Sequence, residues 1–261
     1  MQSGDALVKS RAGRGLLSRL GGGLLDLVYP PTCLDCGAPV ASADALCPDC
    51  FRRLRPISAP FCPRLGIPFA VSLGEGGLSA EAIADPPPYD RSRSAVVYNE
   101  VARALVGRLK YGDRPELAGF CARLMVAAGA ELWGDRPVLV PVPLAPRRRL
   151  ERRYNQSAEL ARVLGRLTGL AVDPALVRRT RHTRQQVGLS GEARRRNVAG
   201  AFSVHPEASK RLAGRRIVLV DDVITTGSTV AAVARTLNRA GIDRVDVVSF
   251  ARVVVGEQSP I

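Results

Sequence analysis

Lysine and histidine are both scarce in this sequence. Lys9, Lys110 and Lys210 are the only lysines among 38 basic residues, and His182 and His205 are the only histidines. Neither histidine has neighbours typical of a catalytic site, so the sequence offers no clear histidine acid or base. The basic residues are almost all arginine, and the formal net charge is +14. Such a charge favours phosphate-bearing partners, although arginine-rich codon usage is an equally good explanation of the total.

Long apolar runs are also missing. The best candidate, residues 16–29, is short, contains three glycines and is interrupted by Arg19 and Asp26. It fits neither a membrane-spanning helix nor the core of a signal peptide, so we expect a cytoplasmic protein without a membrane span. Residues 1–30 instead indicate a basic tail followed by a short amphipathic helix. Packing of this helix on the rest of the protein is favoured over binding to a membrane surface.

Four of the six cysteines form one group, Cys33-x-x-Cys36 and Cys47-x-x-Cys50, with ten residues between the pairs. Without an export signal, this spacing favours metal binding over disulfides. Four thiolates suit a tetrahedral Zn²⁺ at about 2.3 Å and leave no position for water, so the site is predicted to be structural. We therefore expect a small four-cysteine zinc module over residues 31–66.

A fifth cysteine begins what looks like another metal-binding turn, Cys62-Pro63-Arg64-Leu65-Gly66. Leu65 stands where its second cysteine would be, so the sequence predicts one zinc site and not two. Cys121 lies on the apolar face of a predicted helix and is expected to be a core thiol.

The rest of the chain indicates an α/β domain. Residues 67–92 are predicted to be a linker and residues 93–255 a domain in which helices alternate with buried, parallel strands. No internal repeat is visible. The predicted strands are 94–98, 138–142, 217–220 and 245–251, and the predicted helices are 100–110, 116–132, 155–168 and 229–240.

A short polar loop follows the apolar strand 217–220. The strand leads into Asp221 and Asp222, and the loop Thr225-Thr226-Gly227-Ser228-Thr229 then opens a helix. In parallel sheets, ligands bind at the carboxyl edge, where this strand would deliver its acids. Gly227 allows a tight turn, and the free amides at the helix start favour a phosphate group. The loop lacks the Walker pattern and is short, so it suits a single phosphate.

Two carboxylates beside a phosphate need a reason to be there. They are sensible if they hold neutral hydroxyls, or if a divalent cation lies between them and the phosphate. Ribose 5-phosphate satisfies both conditions. The segment 218–229 resembles the phosphoribosyl-diphosphate (PRPP) signature of type I phosphoribosyltransferases. That resemblance implies that Asp221 and Asp222 contact ribose hydroxyls, and that Thr225, Thr226, Gly227, Ser228 and Thr229 cradle the 5-phosphate.

Arginines cluster in two further segments. The first follows the strand 138–142 and leads into Tyr154, Asn155 and Gln156; the second spans residues 178–196. Guanidinium groups pair well with phosphate oxygens, so we assign Arg147, Arg148, Arg153, Arg184 and Gln185 to the ligand site together with residues 154–156. A solvated surface or a nucleic-acid groove remains an alternative, although aromatic residues for base stacking are few.

Together, the four-cysteine module, the segment 109–113, the segments 154–156 and 183–189 and the phosphate loop resemble the ComF family, the competence protein F-like proteins. The resemblance covers nearly the whole chain from about residue 25. It implies a type I phosphoribosyltransferase fold, PRPP and pyrophosphate as ligands with Mg²⁺, and in some bacteria a link to transformation or imported DNA.

Two functions follow from these features. The chain is predicted to transfer the phosphoribosyl group of PRPP to an unknown nitrogen acceptor, with Asp221 or Asp222 as acid or base. The alternative is a non-catalytic PRPP sensor or competence accessory protein that binds single-stranded DNA or a DNA-processing partner.

Overall fold

The computed structural model describes residues 30–74, 76–111, 115–144, 155–181, 196, 198 and 200–254. The predicted N-terminal tail and amphipathic helix lie outside these residues, apart from residue 30. So do six residues assigned to the ligand site: Arg147, Arg148, Arg153, Tyr154, Arg184 and Gln185. No helix within the described part of the chain is long and apolar enough to cross a membrane.

A four-stranded parallel sheet forms the centre of the protein, in the order β1-β6-β5-β2. Its strands are β1 (Arg91–Val97), β2 (Val138–Pro141), β5 (Ile217–Ile224) and β6 (Val245–Arg252), and a separate antiparallel pair consists of β3 (Val177–Arg179) and β4 (Phe202–Val204). Every residue of β6 is buried, as expected of a central parallel strand with both faces covered.

Helices flank both faces of the sheet. They are α1 (Pro48–Arg53), α2 (Ala80–Ala84), α3 (Glu100–Tyr111), α4 (Pro115–Ala128), α5 (Gln156–Thr168), α6 (Pro206–Arg211) and α7 (Ser228–Arg239). One core joins α3, α4 and α5 to the sheet and to the four-cysteine region. A second core joins α7 to the other face and includes Cys62, Leu65 and Tyr89. The α/β fold with a parallel sheet and an N-terminal four-cysteine cluster, predicted from the sequence, is confirmed.

Helix α5 begins and ends where its sequence predicts. The side chain of Asn155 accepts a hydrogen bond from the Ser157 amide, which caps the first turn. Gly169 ends the helix in the left-handed region, with φ 69°. Strand β5 is longer than predicted, since it continues through Asp221 and Asp222 to Ile224. The two acids therefore have extended backbone in the strand beside β6 and are not part of the loop.

The N-terminal region covers the edge of the sheet at β1. The Ile57 amide donates to the Ala95 carbonyl (3.0 Å), and the Ser92 amide donates to the Arg64 carbonyl (2.7 Å). Gly66 makes this approach possible, because a Cβ there would lie 2.3 Å from the Ser92 oxygen. Residues 67–92, for which the sequence predicts a linker, contain α2 and the buried Tyr89, so this segment is packed against the domain.

Candidate functional site

The predicted phosphate loop lies at the carboxyl edge of the sheet, between β5 and α7. Gly227 is the N-cap of α7 and has φ 72°, a left-handed conformation that glycine adopts without strain. The hydroxyls of Thr226 and Ser228 are 2.7 Å apart. A small, open cavity lies beside the loop and is lined by Asp221, Val223, Ile224, Thr225, Gly227, Ser228, Thr229 and Val230. This cavity joins the start of a helix to a carboxyl group, the chemistry that phosphate and sugar hydroxyls require.

Asp221 is the acid that lines this cavity. Its Oδ1 accepts hydrogen bonds from the Ser157 hydroxyl (3.0 Å) and the Asp222 amide (3.0 Å). Burial, reinforced by the neighbouring charge of Asp222, raises the pKa of Asp221 to about 8. The protonated form of Asp221 is therefore favoured relative to an ordinary aspartate.

Asp222 points to a different neighbour. Its Oδ2 lies 3.0 Å from Lys110 Nζ, and its Oδ1 accepts the Val223 amide at 2.9 Å. Within the described residues, Oδ2 has no hydrogen bond of good geometry, so the contact with Lys110 is an ion pair of close approach and poor alignment. Lys110 thus compensates one of two adjacent carboxylates, and Oδ2 keeps the capacity to accept a hydrogen bond.

Asn155 and Gln156, also assigned to the ligand site, hold neighbouring backbone in this structure. Asn155 donates from Nδ2 to the Val142 carbonyl at 3.1 Å, which ties the start of α5 to the segment after β2. Gln156 is buried, and its Nε2 lies 3.4 Å from the Lys110 carbonyl. Both side chains thereby fix the start of α5 close to Lys110 and Asp221.

The structure places Asp221 and the loop residues Thr225, Gly227, Ser228 and Thr229 on one cavity, whereas Asp222 faces Lys110. Two residues of this site were not assigned a role from the sequence. Ser157 follows the helix cap and reaches Asp221 only because α5 packs against β5. Lys110 carries a weak sequence signal, since it is a lysine in a chain that otherwise uses arginine almost throughout.

The four predicted zinc ligands lie close together at the N-terminal end of the described chain. The Sγ atoms of Cys33, Cys36, Cys47 and Cys50 are all within 4.8 Å of one another. The sulfurs of Cys36 and Cys47 are 3.7 Å apart. Tetrahedral Zn–S bonds of about 2.3 Å place sulfurs about 3.8 Å apart, so this donor set fits a zinc ion.

Backbone amides support thiolate character at Cys33, one of these four cysteines. The sulfur of Cys33 accepts hydrogen bonds from the amides of Cys47 (3.2 Å) and Asp35 (3.4 Å). Burial opposes ionisation of Cys33, but these and other local donors outweigh it and lower its pKa to about 6. Because four thiolates complete a tetrahedral site, a zinc ion here would hold the fold and not catalyse.

Residues 60–83 repeat the backbone of this four-cysteine lobe, and the sequence showed only the first turn of that repeat, at Cys62–Gly66. The first turn of each lobe is closed by the same hydrogen bond, from the Gly37 amide to the Cys33 carbonyl and from the Gly66 amide to the Cys62 carbonyl. Each lobe then continues to a short helix, α1 in the first and α2 in the second. The four ligand positions correspond as Cys33 to Cys62, Cys36 to Leu65, Cys47 to Ser79 and Cys50 to Ala82.

The second lobe keeps the hydrogen bonds of a metal site without its ligands. The Cys62 sulfur accepts the Ser79 amide at 3.5 Å, as the Cys33 sulfur accepts that of Cys47. The Ser79 hydroxyl caps α2 by accepting the Ala82 amide, as the Cys47 sulfur does in α1. Leucine and alanine cannot bind zinc, so the residues present do not fit a second metal. All four positions are buried, and side-chain packing takes the metal's place.

Comparisons with protein families agree with this organisation. A family described as "Double zinc ribbon domain" matches residues 24–83, and one described as "Phosphoribosyl transferase domain" matches residues 157–259. The first description implies two metals, whereas the described residues of this chain offer one four-ligand group. The zinc ribbon match and the cluster of four cysteines support one structural zinc.

This chain also resembles curated proteins, and the similarity covers most of their length. The "DNA utilization protein YhgH" of Salmonella typhimurium is 36% identical over 231 residues, which are 85% of this chain and 96% of the relative. "Competence protein F" of Haemophilus influenzae is 29% identical over 84% of this chain and 96% of its own length. "Competence protein ComFC" of Bacillus subtilis is 24% identical over 76% of this chain and 80% of its own. The chain therefore belongs to the ComF family, in which an N-terminal zinc ribbon precedes a phosphoribosyltransferase domain.

Proposed function

We propose that this protein binds PRPP together with Mg²⁺ and transfers its phosphoribosyl group to a nitrogen acceptor. One observation carries the proposal: Asp221 and the phosphate-loop residues line the same cavity at the start of α7. A phosphate needs the free amides of a helix start, and a ribose needs oxygen partners a few ångströms away. The phosphoribosyl transferase family match includes both features.

The roles of the loop and the acids follow from this geometry. The amides and hydroxyls of residues 225–229 would hold the 5-phosphate. Asp221, whose burial raises its pKa to about 8, would form a hydrogen bond with one ribose hydroxyl. Asp222, held in place by Lys110, would accept one from the other. The carboxyls would then bind neutral groups, which avoids direct repulsion of the phosphate.

The reaction is a substitution at C1 of the ribose. The bond from C1 to the pyrophosphate oxygen breaks and its electron pair leaves with pyrophosphate, a bond from the acceptor nitrogen forms, and the nitrogen passes its proton to a carboxylate, Asp221 or Asp222. Mg²⁺ bound together with PRPP would neutralise charge on the leaving pyrophosphate. We assign the pyrophosphate contacts to Arg147, Arg148, Arg153, Tyr154, Arg184 and Gln185, with Asn155 and Gln156 positioning the first of these segments.

Isothermal titration calorimetry tests this proposal directly. PRPP with MgCl₂ should bind the wild-type protein with one site, and Asp222→Ala should weaken binding by about tenfold or more. Pyrophosphate release on addition of candidate amines and bases then tests transfer. Wild-type protein that does not bind PRPP in the presence of Mg²⁺ would overturn the proposal.

A second function, binding of single-stranded DNA, is favoured by the net charge of +14 and by relatives named for DNA utilization and competence. Phosphate contacts make such binding strongly salt-dependent, with a slope that reports their number. Fluorescence anisotropy with a labelled oligonucleotide over a series of KCl concentrations measures it. Affinity no greater than that of an unrelated protein with the same charge would remove this candidate.

A further inference from the structure

A buried arginine lies beside the end of the strand that leads into the phosphate loop. Arg252 is the last residue of β6 and is only 5% exposed. It lies in register with Ile224, the last residue of β5 before the loop, and the next amide, Val253, donates to the Ile224 carbonyl at 2.9 Å. A full positive charge thus lies inside the protein at the carboxyl edge of the sheet.

This arginine is incompletely paired. Among the described residues, its Nε and Nη1 have no hydrogen-bond partner, although both atoms are buried. Its neighbours include the Tyr89 hydroxyl and the Cys62 thiol. Burial lowers the pKa of Arg252, the nearby Tyr89 opposes this, and arginine nonetheless stays charged at neutral pH. A buried cation with two unsatisfied N–H groups is costly, so its position calls for an anion nearby.

Tyr89 connects this arginine to the loop. It is buried, and its hydroxyl would lie 3.8 Å from a Cβ at Gly227, the residue that opens α7. Its backbone carbonyl accepts a hydrogen bond from Arg64 at 3.2 Å. Arg64 belongs to the turn Cys62–Gly66 of the second, metal-free ribbon lobe. The lobe without metal ligands is therefore packed through Tyr89 against the phosphate loop.

We propose that Arg252 and Tyr89 are positioning residues for the 5-phosphate: Arg252 supplies a buried positive charge beside the loop, and Tyr89 holds that charge and Gly227 in place. The inference deepens the proposed function and rests on it for the identity of the ligand. It also gives the second ribbon lobe a role, since Arg64 fixes Tyr89 from that lobe. The ligand chemistry is a phosphate monoester, whose negative charge offsets the buried guanidinium.

The test compares ligands that use the loop with one that does not. Full-length, zinc-loaded protein is titrated with ribose 5-phosphate, with inorganic pyrophosphate and with PRPP plus MgCl₂. Arg252→Met should weaken ribose 5-phosphate roughly tenfold or more, as expected for removal of a unit charge several ångströms away in a partly buried site. Pyrophosphate binding should change less than about twofold. Arg252→Lys, which keeps the charge, should recover most of the lost affinity.

Two control variants distinguish the effect of the Arg252 charge on ligand binding from a general loss of stability. Arg123→Met removes the same charge from an exposed pair with Asp44 and should leave all three affinities unchanged. Tyr89→Phe removes only the hydroxyl and should weaken ribose 5-phosphate about threefold. The Tyr89→Phe variant keeps the proposal testable if Arg252→Met does not fold. Zinc content and urea unfolding of each variant show that the ribbon is intact.

The outcomes distinguish this inference from the proposed function. Arg252→Met that binds ribose 5-phosphate as tightly as wild type, or that loses pyrophosphate equally, overturns the inference, as does wild-type affinity in Tyr89→Phe. If wild type binds ribose 5-phosphate in an Arg252-dependent way but not PRPP, the inference stands and the transferase proposal fails. If wild type binds neither, both fail.

Discussion

Lys110 Nζ lies 3.0 Å from Asp222 Oδ2, and this ion pair joins the end of α3 to the carboxyl edge of β5. Both side chains are mostly buried, with exposed fractions of 25% and 13%. The Lys110 charge also acts on Asp221, since it opposes the rise in the pKa of that residue. One lysine therefore keeps two adjacent carboxyls compatible with the fold.

Removal of Lys110 should destabilise the protein. We expect Lys110→Met to lower the free energy of unfolding by about 1–3 kcal/mol, because it leaves Asp222 partly buried without a counter-charge. The double variant Lys110→Met with Asp222→Asn should lose less than the sum of the two single variants. Urea unfolding measures all three.

Lys210 provides the matched control. It pairs with Glu207 on the surface, where the two side chains are 77% and 73% exposed. Lys210→Met should change stability by less than about 0.5 kcal/mol, as is usual for an exposed pair. If the two lysine variants lose the same free energy of unfolding, the Lys110–Asp222 pair stabilises the protein no more than an exposed pair does.

Asp221 should make the stability of the protein fall as the pH rises. Its pKa is about 8 in the folded chain, above the 3.8 of an unperturbed aspartate, so the folded state holds a proton that the unfolded state releases. The stability that Asp221 contributes through this proton is fully present below about pH 4 and is lost as the pH rises through about 8. Asp221→Asn removes this decline, and its advantage over wild type should grow to a few kcal/mol by about pH 8.

Unfolding by urea at pH 5, 7 and 9 measures this dependence. Asp49→Asn, which removes one exposed carboxyl on α1, serves as the control for loss of a negative charge. A difference between Asp221→Asn and wild type that stays constant from pH 5 to pH 9 would contradict the raised pKa.

Much of this fold could be predicted because its signals are local. Buried parallel strands appear as short apolar runs, and Asn155 and Gly169 mark the ends of α5 through capping alone. The phosphate loop is equally local, since hydroxyls, a glycine and a helix start follow one another directly. The extension of β5 through the two acids was not predictable, because their place beside β6 depends on tertiary pairing.

The second ribbon lobe was hard to predict from the sequence, because the strongest sequence signal of a zinc ribbon is the spacing of its cysteine ligands. In the second lobe three of the four ligand positions hold Leu65, Ser79 and Ala82, so the spacing of cysteines vanishes while the backbone persists. The link from Arg252 through Tyr89 to the loop was hidden for a related reason. Tyr89 lies far from the loop and from Arg252 in the sequence, and only the packing of the second core brings it to them.

Gly227 should matter more for ligand binding than for stability. Alanine there would adopt a left-handed conformation at a cost of about 1–2 kcal/mol. Its Cβ would meet neighbouring atoms only at ordinary contact distances, 3.8 Å and 4.0 Å. The strain should shift the first amides of α7, so we expect Gly227→Ala to weaken ribose 5-phosphate by about tenfold or more. Calorimetry measures the affinity of this variant for ribose 5-phosphate, and thermal unfolding measures its stability.

Gly241 is the control for that substitution. It lies after α7 with φ 80°, and no atom would lie within 4 Å of a Cβ added there. Gly241→Ala should lower the free energy of unfolding by a similar amount, about 1–2 kcal/mol, and leave the affinity unchanged. Equal affinity losses in both variants would mean that general destabilisation, and not the loop, weakens binding.

The protein should bind one zinc ion per chain, despite the doubled backbone of its ribbon. Four thiolates meet in the first lobe, whereas Cys62 has leucine, serine and alanine at the other three positions of the second. Cys47→Ser should abolish zinc binding and unfold the first lobe, because the metal supplies much of the folding energy of so small a site. Cys62→Ser removes an equally buried thiol and should keep one zinc. Mass spectrometry of the native protein and a colorimetric chelator assay count the metal, and two ions per wild-type chain would contradict the assignment of a metal-free second lobe.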